Sequence, residues 1–328
     1  MSTRARQQPA PALHAAQCRA QMLGAARRFF AAHGILEVDT PALSPSAVSD
    51  PHIESVQVAL AADASRAYFL RTSPEFAMKR LLCAGWPDIY QVCRVFRDGE
   101  CGRRHQPEFT LVEWYRRGLS LHDMMAHTVD FLNAVLEPRR LPAPAVHLRY
   151  VDAFTEHAGV HPLDSGLDAL TAAAGADAGL EGALGTDREA WLDLLLADRV
   201  APRFARDRLT VLHHYPAAQA ALARRCPGDA RLADRFEVFL GDIELANGYY
   251  ELADAAEQRR RWQADQARRR ARGQPVRPLD EALLDALARG LPDCCGVAVG
   301  FERLVMINCD STDIRDVVPF AFAETDHD

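Results

Sequence analysis

The sequence predicts an α+β fold, and three observations carry that expectation. Residues 90–96 (YQVCRVF) and 109–115 (FTLVEWY) have strand composition and flank a polar loop with Gly99, Gly102, Arg103, Arg104 and His105. An amphipathic helix over 13–33, with Leu13, Ala16, Ala20, Leu23 and Phe30 near helical spacing, is stopped by Gly34 and followed by the short strand Ile35-Leu36-Glu37-Val38. Near the end, GVAVGFERLVM over 296–306 reads as strand, glycine, then helix.

The hairpin is the richest in chemistry. Period-two alternation puts Phe109, Glu113 and Tyr115 on one strand face, and Arg97 ends the first strand where its guanidinium can reach a cleft. A ring, a carboxylate and a phenol beside a cationic loop suit a nucleotide and an amine. An ordinary hairpin with a charged tip is the plainer alternative.

The remaining elements follow in order. Residues 1–12 read as a frayed tail and 13–328 as one domain. Residues 53–60 and 67–71 form a hairpin; Ser73 then caps a helix, with Pro74 at its first position and Glu75 in its first turn. Capping alone accounts for those three residues. A helix over 120–136 opens with Ser120 and Asp123. A linker with Pro138, Pro142 and Pro144 follows, then a helical insertion over about 150–205 in which one helix starts at Thr186. Strands over 209–212 and 236–240 lead into GDIELANGYYE over 241–251, where Glu244 and Glu251 fall in a segment that otherwise looks buried. A metal ion, a ligand amine or a structural arginine could each partner such carboxylates. The helix 254–272 carries Arg259-Arg260-Arg261 and Arg268-Arg269-Arg270, as a solvated face or a docking surface for RNA or an acidic protein. Arg303, in the first turn of the last helix, implies an anion nearby.

Composition narrows the classes. A chain of 328 residues can bury a large core, and its net charge of −7 argues against broad nonspecific nucleic-acid binding. The eight cysteines show no CxxC or Cys/His ligand spacing, so reduced thiols in a cytoplasmic protein are expected and structural zinc is not. No signal peptide or long apolar run points to a membrane.

Taken together, these segments resemble the class II aminoacyl-tRNA synthetase catalytic domain, in its lysyl-tRNA synthetase branch. GILEVDTPAL looks like motif 1, VFRDGECGRRHQPEFTLVEWY like motif 2 and GVAVGFERLVM like motif 3; TSPEFAMKRLL and IELANGYYEL resemble the lysine-pocket segments. The resemblance implies a mixed, mostly antiparallel sheet flanked by helices, and a homodimer through the Gly34 to Pro41 region. Only the tail and one helix precede motif 1, too little for the anticodon-binding OB-fold of the tRNA-charging enzymes. This resembles a truncated paralogue that activates lysine or (R)-β-lysine with ATP and Mg²⁺ and transfers it to elongation factor P, with tRNA not expected as a partner. Ala298, where the charging enzymes have glycine, supports that branch.

Carried over by position, the resemblance implies that Arg97 holds the α-phosphate and the substrate carboxylate. Phe109 stacks on adenine, Arg303 grips the terminal phosphate with His105, and Glu244 binds Mg²⁺. Asp98, Gly99, Leu245 and Gly300 complete the nucleotide site. Ser73, Pro74 and Glu75 line the amino-acid site, with Glu75 facing the backbone-type ammonium; Tyr115, Glu251 and Glu113 take the ε-ammonium; Gln106, Asn247 and Ala298 contact the substrate. Three departures stand out: Gly99 replaces the glutamate of FRxE with Glu100 one place later, Gln106 replaces asparagine, and Glu302 replaces aspartate. Two rival classes are a lysine-charging enzyme acting on tRNA and a noncatalytic lysine- and ATP-binding module.

Overall fold

The protein is described by a computed structural model covering residues 13–137, 141 and 144–322. The expected tail, and Pro138 and Pro142 of the expected linker, lie outside the described residues. The elements are helix α1 (Leu13–Ala32), strands β1 (Leu36–Glu37), β2 (Leu43–Ser44), β3 (Gln57–Leu60) and β4 (Asp63–Leu70), α2 (Glu75–Cys83), β5 (Ile89–Phe96), β6 (Glu108–Arg117) and α3 (Leu121–Val135). Then come β7 (Val146–Arg149), α4 (Tyr150–His157), α5 (Leu167–Ala174), α6 (Ala178–Leu184), α7 (Arg188–Leu195), β8 (Leu209–Pro216), β9 (Arg225–Cys226), β10 (Asp229–Leu240) and β11 (Ile243–Tyr250). Helices α8 (Ala255–Ala271) and α9 (Glu281–Arg289), strand β12 (Cys294–Gly300) and helix α10 (Phe301–Asn308) close the chain.

A nine-stranded sheet runs in the order β1-β5-β6-β12-β11-β10-β8-β7, with β9 on β10. Its pairs are antiparallel except β1 with β5 and β7 with β8, one at each end. Strands β2, β4 and β3 form a second, smaller sheet. The expected mixed, mostly antiparallel sheet is thus present. No helix among the described residues is long and apolar enough to cross a membrane.

Side-chain alternation gives the main sheet two different faces. On β6, Val112 and Trp114 point into the core formed with α1, α3 and α10. Phe109, Leu111, Glu113 and Tyr115 point the other way and line a cavity. Helices α2, α8 and α9 pack on that second side through Met78, Leu82, Trp262, Leu283, Leu284 and Leu287.

Several local expectations shift by a residue or a face. Helix α1 buries Ala15, Met22, Ala26 and Phe30, whereas Leu13 is 73% exposed and Ala16 and Ala20 face solvent. Mostly alanine spacing gave no strong stripe, and Phe30 set the face by stacking on Tyr90 at 4.1 Å. Gly34 turns the chain at φ +67°, as a helix stop requires. Ser73 Oγ accepts from the Glu75 N–H at 3.2 Å, while Pro74 itself is the last residue before α2. In the insertion the cap is Asp187, one residue after Thr186, and α7 begins at Arg188. The insertion has its own core around Tyr150, Phe154, Leu170, Trp191 and Leu195, seated on Leu212, Tyr215 and Phe239 of the sheet.

The arginines of α8 are mostly committed within the chain. Arg259 pairs with Glu281 at 2.5 Å, Arg261 with Glu257 at 3.0 Å and Arg268 with Glu189 at 3.0 Å. Arg272 pairs with Asp187, so the helix ties the insertion to the body. Arg269 is fully buried; it pairs with Glu54 and donates to the carbonyls of Pro275 at 2.8 Å and Asp50 at 2.9 Å. This pattern is a structural clamp rather than an open RNA-docking face. Arg269→Met is expected to cost about 2 kcal/mol in urea unfolding, because it strands two carbonyls and leaves Glu54 with Arg277 alone. A cost well under about 1 kcal/mol would return the helix to the class of solvated surfaces.

Candidate active site

The four central strands β6, β12, β11 and β10 form the floor of a cavity of about 1000 Å³. Register aligns the functional side chains across it. Ala298 lies opposite Glu113 on one side and Asn247 on the other, and Gly296 lies opposite Tyr115 and Tyr249. A Cβ at Gly296 would run into Glu251 Oε1 and the Tyr115 ring, so only glycine leaves that end open.

One end of the cavity is acidic and buried. Lys79, on α2, is 1% exposed; its Nζ lies 2.5 Å from Glu251 Oε2 and 2.6 Å from Glu75 Oε1. Burial alone would strip its proton, but the two carboxylates outweigh that and raise its pKa. Glu251 is pushed up to about 7 by burial, against the pull of Lys79. Tyr115 Oη donates to Glu113 Oε1 at 2.8 Å, while the other oxygen of Glu113 is buried without a hydrogen-bond partner. Burial, with repulsion from Glu75, pushes Glu113 up to about 8. Asn247 Oδ1 is likewise buried and unpartnered. Two such acceptors, facing a cavity, are the mark of a site shaped for a donor-rich ligand. Three carboxyl groups against one ammonium leave room for two positive charges once a bound ligand ionises Glu113.

The other end is cationic. Arg97 meets the Thr72 carbonyl and Glu100 Oε1 only at 3.5 Å each, at the weak limit of hydrogen bonding. Its guanidinium lies over the Phe109 ring, 5.0 Å from the centroid. Arg303 donates to the Glu244 carbonyl at 2.9 Å and to His105 Nε2 at 2.8 Å, and its charge lies 3.5 Å from Glu244 Oε2. Loss of water contact and the Arg303 charge push the His105 pKa down, which keeps it a neutral acceptor. Arg303 stands at the start of α10, and Glu302 fixes that turn by accepting from the Thr110 N–H at 2.8 Å and pairing with Arg19 at 3.5 Å.

The structure therefore brings Ser73, Pro74, Glu75, Arg97, His105, Gln106, Phe109, Glu113, Tyr115, Glu244, Leu245, Asn247, Glu251, Ala298, Gly300 and Arg303 around one cavity. Two expected nucleotide residues are not in its wall. The Asp98 N–H is held by the Glu54 carbonyl at 2.9 Å, and Gly99 turns the chain at φ +78°, a region that disfavours glutamate. Glu100 takes the place in the wall instead. Gln106 lines the cavity, but its amide also serves the fold: Oε1 accepts from the Phe322 N–H at 2.7 Å and Nε2 donates to the His105 carbonyl at 3.1 Å.

Two residues escaped the sequence reading. Lys79 sits in a helix composition that gives no hint of burial; its four-residue spacing from Glu75 was the available signal. Glu237, on β10, lines the same cavity near Glu244, with Tyr215 Oη donating to it at 2.6 Å and Arg235 pairing with it at 2.5 Å. Burial pushes it up to about 7; Arg235 opposes this and the Glu244 charge adds to it. Both oxygens of Glu237 are thus taken, which leaves Glu244 as the carboxylate at the phosphate end that fits a divalent cation such as Mg²⁺.

An antiparallel sheet floor with an arginine on a strand–loop hairpin and another at a strand-to-helix turn defines a class II synthetase catalytic domain. The family model for tRNA synthetases class II (D, K and N) matches residues 9–324, and the chain belongs to that family. It is similar over 325 residues, at 42% identity and with 98% of each chain covered, to elongation factor P–(R)-β-lysine ligase of Salmonella paratyphi B. The protein of the same name from Salmonella schwarzengrund matches at the same identity and coverage.

Proposed function

We propose that this chain activates (R)-β-lysine, or lysine, with ATP and transfers the acyl group to a lysine side chain of elongation factor P. The observation that carries this reading is the polarity of one cavity: three acids at one end, two of them backed by the buried Lys79, and Arg97, Arg303 and His105 at the other. A diamine carboxylate lying along it places its ammoniums among Glu75, Glu113 and Glu251 and its carboxylate beside Arg97. The carboxylate oxygen attacks the α-phosphorus of ATP, the bond to the pyrophosphate oxygen breaks, and an acyl-adenylate forms. The acceptor amine then attacks the acyl carbon, AMP leaves, and the amine gives up a proton as the amide forms. Position and charge suffice, so no side-chain nucleophile is assigned. Phe109 offers a face for adenine, and Arg303 with His105 receives the terminal phosphates. Glu244, together with the phosphates themselves, would hold Mg²⁺, which would supply charge neutralisation on the phosphates when bound.

Incubation with ATP, Mg²⁺, each lysine isomer and purified elongation factor P, followed by intact mass, tests the proposal. A mass increase of one acyl group on the protein is expected; transfer of label to tRNA instead, or ATP binding without turnover, would replace it with one of the rival readings. Ala298, set between Glu113 and Asn247, narrows the floor where the substrate's amino end lies, which favours a displaced amino group.

The pH dependence follows from Glu113. In the free site it is protonated below about pH 8, and a bound ammonium favours its ionised form. Binding at pH 7 therefore releases a proton, and affinity for the diamine rises with pH until about 8 and then levels. Calorimetry in buffers of different ionisation enthalpy reads that proton directly; no uptake or release at pH 7 would contradict the assignment.

Dimerisation through the Gly34 to Pro41 segment is part of the same proposal. Leu36 lies on the sheet's edge strand and is 46% exposed. Leu36→Lys is expected to shift the chain towards monomer in sedimentation velocity.

A further inference from the structure

A second cluster of ligand-type side chains lies away from the cavity. His14 and Cys18 are four residues apart on α1, and so share a helix face. Cys309 caps the C-terminal end of α10 and meets them across the helix–helix contact. One imidazole nitrogen and the two sulfurs all lie within 4.8 Å of one another. None of the three lines the catalytic cavity.

Against the expectation from cysteine spacing, we propose that His14, Cys18 and Cys309, brought together by the fold, form a zinc-type metal site with two thiolates, one imidazole and a fourth position open to water. The donor set is the soft sulfur and nitrogen combination that zinc takes in tetrahedral sites. Ligand-to-ligand spacings around such an ion are roughly 3.5–3.8 Å, from metal–ligand distances of about 2.0–2.3 Å. Rotation of the exposed His14 and small shifts of the half-exposed cysteines reach that spacing. Two thiolates would neutralise the ion. Asn308 Nδ2 donates to Cys18 Sγ at 3.3 Å, a contact that suits a sulfur carrying negative charge.

The other mixed cluster, His214, Cys226 and Asp234, is the weaker candidate. There Arg224 Nε already donates to Asp234 Oδ2 at 2.7 Å, placing a fixed cation against the site. In the His14 site the ion would instead join the first turn of α1 to the far end of α10, the helix whose first turn carries Arg303. The same two helices already meet through Arg19 and Glu302. The site is thus a clip on a helix pair that supports the catalytic floor.

The test uses the whole chain, stripped with chelator under reducing conditions and titrated with Co²⁺. One cobalt per chain is expected, with a thiolate charge-transfer band and tetrahedral absorption that Zn²⁺ removes by displacement. Zn²⁺ should also raise the thermal midpoint. Cys18→Ser and Cys309→Ser should each abolish the band, and His14→Gln should weaken cobalt binding by about 10-fold or more. Cys226→Ser should leave the band intact. No band, or a band that survives both Cys18→Ser and Cys309→Ser, overturns the proposal. So does a Cys18–Cys309 disulfide in protein purified under reducing conditions.

Discussion

Arg97→Ala is expected to lower adenylate formation by about 10³-fold or more, read as lysine-dependent exchange of pyrophosphate into ATP. The structure separates this loss from misfolding. The Arg97 side chain makes no strong bond within the protein: both of its polar contacts are at 3.5 Å, and it is 26% exposed. Removing it should leave the urea midpoint nearly unchanged. Its place between Thr72 and Glu100, over Phe109, is that of a group held for an anion that arrives later. A variant that keeps more than about a tenth of the wild-type rate would show that the α-phosphate is held elsewhere.

Glu251→Gln should raise the KM for the amino acid by about 10²-fold or more, with a smaller change in kcat. The substitution keeps the shape of the side chain and removes one of the three charges that face the diamine. It also leaves Lys79 with Glu75 alone, so an ammonium now competes with the substrate for the remaining acid. The size of the effect rests on burial, since Glu251 and Lys79 are 4% and 1% exposed and water can screen neither. An unchanged KM would mean that the ε-ammonium sits nearer Glu113 and that Glu251 serves only to hold Lys79. Glu113→Gln would then produce the larger effect.

How far the site was legible depends on whether its residues signal locally. The β5–β6 hairpin was, because alternation over Phe109, Glu113 and Tyr115 is a property of one strand. Glu244 and Glu251 stood out because charge in an apolar run needs a partner, and the partner of Glu251 proved to be Lys79. That answer was none of the metal ion, ligand amine or structural arginine that the sequence suggested, and it came from another element altogether. Lys79 itself signalled only through its spacing from Glu75, since a lysine on a helix looks solvated until packing buries it. Glu237 was silent for a related reason: its neighbours Arg235 and Tyr215 lie on its own strand and on β8, and only register brings Glu244 near. Asp98 and Gly99 were misplaced because motif order does not reveal a left-handed turn. The mixed sheet itself was legible through family likeness more than through any one strand.

Strand β6 serves two masters. Trp114 belongs to the oily interior that keeps the molecule folded, while Glu113 and Tyr115, its immediate neighbours in the chain, select the substrate. An engineer wishing to admit a different amino acid cannot slide or bend this ribbon without disturbing its underside. Redesign is therefore confined to side-chain swaps at fixed backbone, at positions such as Ala298, and any broader change of diet would have to come with a rebuilt hydrophobic interior.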